Sequence, residues 1–511
     1  MTDADFAPAT SSGTDAGAAS RPDRVRVLDV VAALAIAAVA AWLRRRQLGP
    51  PSLWTDDSWP ALVTKVGWSR VPVVGLTAPG FAAILKTWLH VTGFSETKAQ
   101  SVAFTFGIAG PALVWLVCVA RGISRPAAAV AAAILVTAPA NIVYSARVKQ
   151  YTLDAVIATL LLWLAWRLID SPQPRRRWVE FTIAAVAATA ISSAVVPVVC
   201  GGYLAGLLVA RRDGRSAVVL GAKCGASYVV FGALWWATML RPRLGRPLHD
   251  YWRAFYISVS GPVSFYKSFT HTPTRFDHGF ADIPSLIVVL LVGAAAVACW
   301  RAQRDLTVLL ITPLVVAVVL AIVQVAPLGT GRTDLYLYPL VAVLLAVGLS
   351  ELVRRVNVAG LVVAAVLIAT LGVSAKAPSA YPPEDMKTAV KTLVASAAPS
   401  DGIMVYYGGR YAFALYSPYP ISVYATTSQT DGFDVLIHRP HVILLPFSSD
   451  RSQYRSIVKR LTAHVKVLWF VGTHGHGDVP FVERALNAAG FGRHHRIYFG
   501  SSMFLSVWLR P

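Results

Sequence analysis

The sequence predicts an α-helical polytopic membrane protein carrying a C-terminal α/β domain, and three observations predict it. The first is composition. The 511 residues are 55% hydrophobic and 14% charged, with a mean hydropathy of +0.55, whereas soluble domains carry about 25% charged residues. The second is a regular alternation of apolar runs with loops rich in Lys and Arg. The third is a change of texture after Lys376, where short apolar runs and amphipathic stretches replace the long runs. A net charge of +21 would suggest nucleic acid in a soluble protein. Here the cations punctuate apolar runs, so topology and anionic lipid headgroups account for them. No nucleic-acid module is present, and membrane lipids are the expected surroundings. Cys118, Cys200, Cys224 and Cys299 lie in or beside apolar runs without metal spacing, so they imply no disulfide framework.

Residues 1–26 form a tail rich in Ala, Ser, Thr and Gly, read as disordered and cytoplasmic. Arg21, Arg24 and Arg26 precede the apolar run Val27 to Leu43, an uncleaved signal anchor. Arg44, Arg45 and Arg46 stand on the outer side, against the positive-inside rule. They suit either a ligand or snorkelling at the interface. The outer segment 44–100 holds the acidic stretch Ser52-Leu53-Trp54-Thr55-Asp56-Asp57-Ser58-Trp59. It also holds Phe81 to Val91, helical in period but far short of the ~20 residues a span needs, hence an interfacial helix. Spans follow over Ser101 to Ala120, Pro126 to Val143 and Tyr151 to Ile169. Trp178 to Ala210 reads as a hairpin bent near Pro197. Further spans run over Ser216 to Leu240, Ile283 to Trp300, Leu306 to Ala326, Leu335 to Leu352 and Val358 to Ser374. That makes about eleven spans with basic loops inside. The membrane domain, 27–375, then has further outer loops at 144–150, 241–282 and 327–334, and its odd span count carries the C-terminus outside.

Pro378, Pro382 and Pro383 mark a linker into residues 376–511. Ile403 to Tyr407, Ile421 to Ala425, Val442 to Pro446 and Val465 to Val471 read as short buried strands. Helical patterns fall at Glu384 to Ser396, Gln453 to His464 and Pro480 to Ala489. The alternation predicts an extracytoplasmic, Rossmann-like α/β domain with a mainly parallel sheet. Gly408-Gly409 follows a strand, but no glycine-rich phosphate fingerprint accompanies it.

The outward-facing polar residues suit one chemistry. Asp56 and Asp57 face Arg147 and Lys149 of the second outer turn, cations of the 241–282 loop, and Arg332 of the late loop. Cations can hold a phosphate leaving group as charge grows on it. A carboxylate can take the proton of an incoming hydroxyl. Each element also has a plainer reading. The two acids could cap a helix starting near Ser58, Arg147 and Lys149 could anchor span ends, and the long loop's aromatics could form an interfacial belt. His474, His476 and Asp478 resemble a metal tract, but the intervening glycines suit a turn, and no metal ligand is assigned.

Four stretches resemble the GT-C superfamily of membrane glycosyltransferases, which includes the protein O-mannosyltransferases and the lipid A aminoarabinose transferase. Pro51 to Asp57 resembles the family's first-loop Trp-x-Asp-Glu motif. Ala78-Pro79-Gly80-Phe81 through Leu89 resembles its juxtamembrane helix, with one of the usual paired prolines replaced by Ala78. Tyr144 through Asp154 resembles its second loop, and Pro327 through Pro339 its late loop. The resemblance covers roughly the first 375 residues. It implies a GT-C-like membrane domain and inverting transfer from a polyprenyl-phosphate-linked sugar donor to an acceptor hydroxyl of an envelope glycan, glycolipid or protein, at the outer face of the plasma membrane. By position it makes Asp56 the general base and Asp57 the second acid. Arg147, Lys149, Tyr151 and Arg332 become donor-phosphate ligands, and Tyr336 and Tyr338 line the lipid groove. Arg147 stands where Glu is frequent, so a divalent cation (Mg or Mn) is the one cofactor left open. Two other readings compete: an inactive GT-C-like binding or scaffold protein, and a transporter or flippase of lipid-linked sugars. Neither an internal repeat nor the paired broken helices of transporters is visible.

Overall fold

The computed structural model describes residues 25–170, 174–280, 285–356, 384–446, 453–473, 479–500 and 502–511. The N-terminal tail through residue 24, the eleventh span, the proline linker and the His474, His476 and Asp478 tract fall outside them. Among the described residues, six helices are long and apolar enough to cross a membrane: Val27–Gln47, Glu96–Ala120, Tyr151–Ile169, Ser193–Asp213, Arg215–Leu240 and Arg304–Ile322. Arg125–Thr137 and Pro139–Ser145 together pass the same test but are bent by 56°. Leu286–Ala302 and Leu335–Glu351 are shorter apolar helices. Pro174–Ile191, the first arm of the expected hairpin, carries Arg175, Arg176, Arg177 and Glu180 at its start, which dilutes its hydropathy. The protein is an integral membrane protein. The interfacial helix runs over Pro79–Thr92, about 21 Å at 1.5 Å per residue, too short to span. The 241–282 segment is more ordered than a loop, with helices at Arg246–Trp252 and Pro262–Phe280.

The 56° bend has a local cause. Pro139 begins the second helix of the pair and lacks the N–H that would continue the ladder. The freed carbonyl of Leu135 accepts from Asn141 Nδ2 at 2.7 Å and from Arg44 at 3.0 Å. The Arg44 guanidinium also donates to Ser145 Oγ and to the Ala40 carbonyl, each at 3.0 Å. Gly107 makes room for this knot, since a Cβ there would lie 2.0 Å from Ser145 Oγ. Arg44 is fully buried. It neither snorkels nor awaits a ligand, contrary to both sequence readings; it satisfies backbone opened by a proline.

Residues beyond 384 form a mixed sheet and not a mainly parallel one. The strands are β1 (Gly402–Val405), β2 (Ile421–Ala425), β3 (Phe433–Ile437), β4 (Val442–Leu444), β5 (Val467–Gly472), β6 (Gly492–Tyr498) and β7 (Phe504–Leu509). Five lie in the order β4-β1-β5-β7-β6, and β2-β3 forms a separate hairpin. β1 is parallel to β4 and β5, while β7 is antiparallel to β5 and β6. Both strands of the antiparallel half are missing from the sequence reading: β6, Gly-Arg-His-His-Arg-Ile-Tyr, is an exposed edge strand without an apolar run, whereas β7, Phe-Leu-Ser-Val-Trp-Leu, carries a legible apolar pattern that was passed over. This unit is seated directly on the acidic first loop. Ser52 Oγ donates to the Glu384 carbonyl at 2.8 Å and the Leu53 N–H donates to Tyr416 Oη at 2.7 Å. Thr55 Oγ1 donates to the Gly408 carbonyl, and Lys65 Nζ donates to the Ala414 carbonyl at 2.9 Å.

Arg44→Met should lower stability by on the order of 2 kcal/mol, because it leaves the Leu135 carbonyl and Ser145 short of buried partners. Thermal unfolding in detergent reads this.

Candidate active site

The acidic loop enters a seven-residue helix, Thr55–Ala61, whose N-cap position is Trp54. Asp56 and Asp57 therefore lie in its first turn. The expected cap of a helix beginning near Ser58 is corrected: the helix starts three residues earlier, and neither acid is its cap. Carboxylates in a first turn face unpaired N–H groups and gain from the helix dipole. Successive helical residues diverge by about 100°, so the two acids point to different partners.

Asp57 is buried against the second loop. Its Oδ2 pairs with Arg147 at 2.9 Å and its Oδ1 accepts from the Val148 N–H at 2.9 Å. Asp56 is a third exposed and meets Arg332 at 3.3 Å. Arg332 also donates to Tyr251 Oη at 2.7 Å and lies over the Trp252 ring at 4.4 Å. Lys149 is buried with its ammonium 3.9 Å from the centroid of the Trp59 ring. Arg147 lies over Trp54 at 5.4 Å. The two tryptophans that flank the acids in sequence thus seat the cations that face them.

Each cation is delivered by a local device. The loop bearing Arg332 turns at Gly329 and Gly331, whose φ angles of 76° and 67° suit glycine. Buried Asp334 fixes that turn by accepting from the Gly329 N–H at 3.0 Å and Thr330 Oγ1 at 2.7 Å. The second loop is held by Gln100, which donates to the Ala146 carbonyl at 2.6 Å, and by the Asp57 bond to Val148.

Burial dominates the electrostatics. It pushes the Asp57 carboxyl up, against the pull of Arg147 and Lys149. It pushes the Lys149 ammonium down to about 8, opposed by Asp56, Asp57 and Asp431. Asp431, beyond β2, is also pushed up by burial, with the nearby Asp56 charge adding to the shift. Three carboxylates and three cations therefore share one site. Asp431, Tyr251 and Trp252 were not singled out in the sequence. Asp431 sits in Thr430-Asp431-Gly432, which reads as an ordinary turn, and the two aromatics read as an interfacial belt.

The remaining sequence candidates sit deeper. Tyr151 is buried at the start of its helix, edge-on to Tyr144 at 5.1 Å. Tyr336 and Tyr338 are also buried, and Tyr338 packs edge-on against Phe276 at 5.0 Å and Phe280 at 5.1 Å. Tyr338 also lines a narrow apolar crevice with Phe106, Leu135 and Leu335.

The residues present do not fit a divalent cation. Mg²⁺ and Mn²⁺ want several hard oxygen ligands. Both Asp57 oxygens are already engaged by Arg147 and the Val148 N–H. Among the described residues no group of three potential ligands comes together.

A bundle of apolar helices with an α/β unit seated over its first long loop makes a GT-C-like fold. Three solved structures share it over nearly the whole chain. The apo structure of ArnT, from Cupriavidus metallidurans, aligns at a TM-score of 0.52 and 12% identity, covering 94% of this chain and 97% of that one. ArnT bound to undecaprenyl phosphate aligns at 0.52 and 13%, with coverage of 94% and 97%. The Archaeoglobus fulgidus oligosaccharyltransferase, solved with Zn and sulfate, aligns at 0.50 and 12%, covering 93% of this chain and 72% of that one. Neither a family model nor a curated protein sequence matches the chain.

Asp57→Asn should cost about 3 kcal/mol, because it leaves Arg147 facing a neutral partner in a buried setting. Adding Arg147→Gln should recover part of that loss. A double-mutant cycle on chemical unfolding in micelles measures the coupling; strictly additive effects would show that the pair contributes nothing.

Proposed function

We propose that the protein is an inverting glycosyltransferase. It moves a sugar from a polyprenyl-phosphate-linked donor to a hydroxyl of an envelope glycan, glycolipid or protein. The observation that carries this reading is the meeting of Asp56 and Asp57 with Arg147, Lys149 and Arg332, drawn from three separated loops, at one site of a GT-C fold. The ArnT structure that holds undecaprenyl phosphate supports a lipid phosphate as the donor's carrier.

The geometry supports the following roles. The donor phosphate enters between Lys149 and Arg332 and competes with Asp56 for the Arg332 guanidinium. Displacement frees the more exposed of the two first-turn acids just as the donor arrives. Asp56 then takes the proton of the acceptor hydroxyl. The acceptor oxygen bonds to the anomeric carbon from the face opposite the phosphate, the bond to the phosphate oxygen breaks, and the configuration inverts. Lys149 and Arg332 hold the growing charge on the leaving lipid phosphate. Asp57 stays paired with Arg147 and fixes the second loop, so it is a positioning residue. Arg147 supplies fixed positive charge in place of the frequent Glu, and the reaction needs no divalent cation. Tyr151 backs the phosphate site, and Tyr336 and Tyr338 border the path of the lipid. The enzyme sits in the plasma membrane with its N-terminus cytoplasmic and residues 376–511 outside, forming a domain over the membrane part at 27–375.

A scaffold on the same fold is the competing reading, favoured by one feature: both first-loop acids are paired with arginine. The experiment that separates the two uses protein in nanodiscs, radiolabelled polyprenyl-phosphate mannose and arabinose donors, and an envelope lipid extract. Transfer should occur equally with and without chelator. Asp56→Asn should reduce it by at least about 100-fold, the usual worth of a general base, while undecaprenyl phosphate still binds. Donor binding without transfer by the wild type would favour the scaffold.

A further inference from the structure

The β2–β3 hairpin of the C-terminal unit reaches into the ionic site. Its connecting loop is pinned on several sides. Gly432, with φ of 71°, packs so closely that a Cβ would meet Leu76 at 2.5 Å and Arg243 at 3.0 Å. The Thr427 carbonyl lies where a Cβ on Gly245 would be, 1.9 Å away. Thr430 Oγ1 bonds to Tyr407 Oη at 2.7 Å and donates to Asp431 Oδ2 at 3.3 Å. The loop is therefore wedged between the outer segments 44–100 and 241–282 and its own unit.

Two residues of this hairpin address Lys149. Phe433 stacks on Trp59 with centroids 5.8 Å apart and an interplanar angle of 18°, and Trp59 is the ring on which the Lys149 ammonium sits at 3.9 Å. Tyr411 supports Phe433 from behind, with rings 5.0 Å apart and its hydroxyl donating to the Phe433 carbonyl at 3.0 Å. A continuous aromatic stack thus runs from the C-terminal unit to the cation. Two residues before Phe433, Asp431 brings a carboxylate within electrostatic reach of the same ammonium. Its neighbours Asp56 and Asp57 are held by arginines.

We infer that Asp431 and Phe433 are positioning residues for Lys149: Phe433 fixes the ring that seats the ammonium, and Asp431 supplies the counter-charge that keeps it protonated. The C-terminal unit then contributes to the donor-phosphate site through Asp431 and Phe433. This rests on the proposed reading of that site as a lipid-phosphate site. The groups facing Lys149 are Asp56 and Asp57 from the first-loop helix, Asp431 from the hairpin and Arg332 from the late loop, with Arg147 two residues away. A buried lysine whose pKa is pushed down to about 8 is poised to lose its proton in mildly alkaline solution, and each facing carboxylate delays that loss.

The test is the pH profile of undecaprenyl phosphate binding to the full-length protein in nanodiscs, from pH 6 to 9.5. Wild-type affinity should fall as pH rises through about 8. In Asp431→Asn the fall should come about one to two pH units earlier, the size of one opposite charge removed. The variant should therefore bind several-fold more weakly than wild type at pH 8.5 and no more weakly at pH 6. Asp431→Glu should restore the profile. Titration of the lipid phosphate itself is common to all proteins compared and cancels. Superimposable profiles, or a loss of affinity equal at every pH, would overturn the inference while leaving the lipid-phosphate site standing. Absence of binding by the wild type at every pH would overturn both.

Discussion

The pairing of buried Asp57 with Arg147 and the Val148 N–H is the contact on which the rest of the site depends. A carboxylate at the edge of a bilayer, cut off from water, is costly unless its charge is met and its oxygens are bonded. Asp57 has both, and its partners are the residues that must be placed. Because the same short loop carries Arg147 and Lys149, anchoring it to the first-loop helix brings both cations to the acids. Trp54 and Trp59, one on each side of the acids, then present their ring faces to the two cations. An eight-residue stretch thus supplies both the negative charges and the aromatic seats.

The helices around this site are shaped by the same need to satisfy backbone in a low dielectric. Proline at the start of Pro139–Ser145 bends the chain just before the second loop, and buried Arg44 closes the opened carbonyl. That bend lets the short helix lead into the loop bearing Arg147 instead of continuing along the membrane normal. Gly329 and Gly331 do comparable work for Arg332. Backbone irregularity is tolerated there because Asp334 absorbs the freed donors.

Much of this was legible in the sequence, for identifiable reasons. Spans such as Tyr151–Ile169 follow from apolar length and basic loops, and the convergence of Asp56, Asp57, Arg147, Lys149 and Arg332 was suggested by motifs in separate loops. What stayed hidden depends on tertiary partners. Arg44 reads as a surface cation because no local pattern says that a carbonyl 91 residues away will need it. Asp431 reads as a turn residue because Gly432 follows it, and a turn is what it occupies; its role comes from where the hairpin docks. β6 is invisible because an edge strand with one face in solvent needs no apolar run.

The charge arrangement gives the site its response to a ligand. Three carboxylates face three cations, so the charges of the site largely satisfy one another. An anion entering between Lys149 and Arg332 breaks that balance at its weakest point. The Asp56–Arg332 contact is the longer and more exposed of the two pairs, 3.3 Å against 2.9 Å, so water can replace Arg332 around Asp56 at small cost. Asp57, with no access to water, keeps its arginine. One acid is therefore exchangeable and the other fixed, although they are adjacent in sequence and chemically identical. The distinction arises from burial and from the partners each acid meets, Arg147 and the Val148 N–H for Asp57 and Arg332 for Asp56.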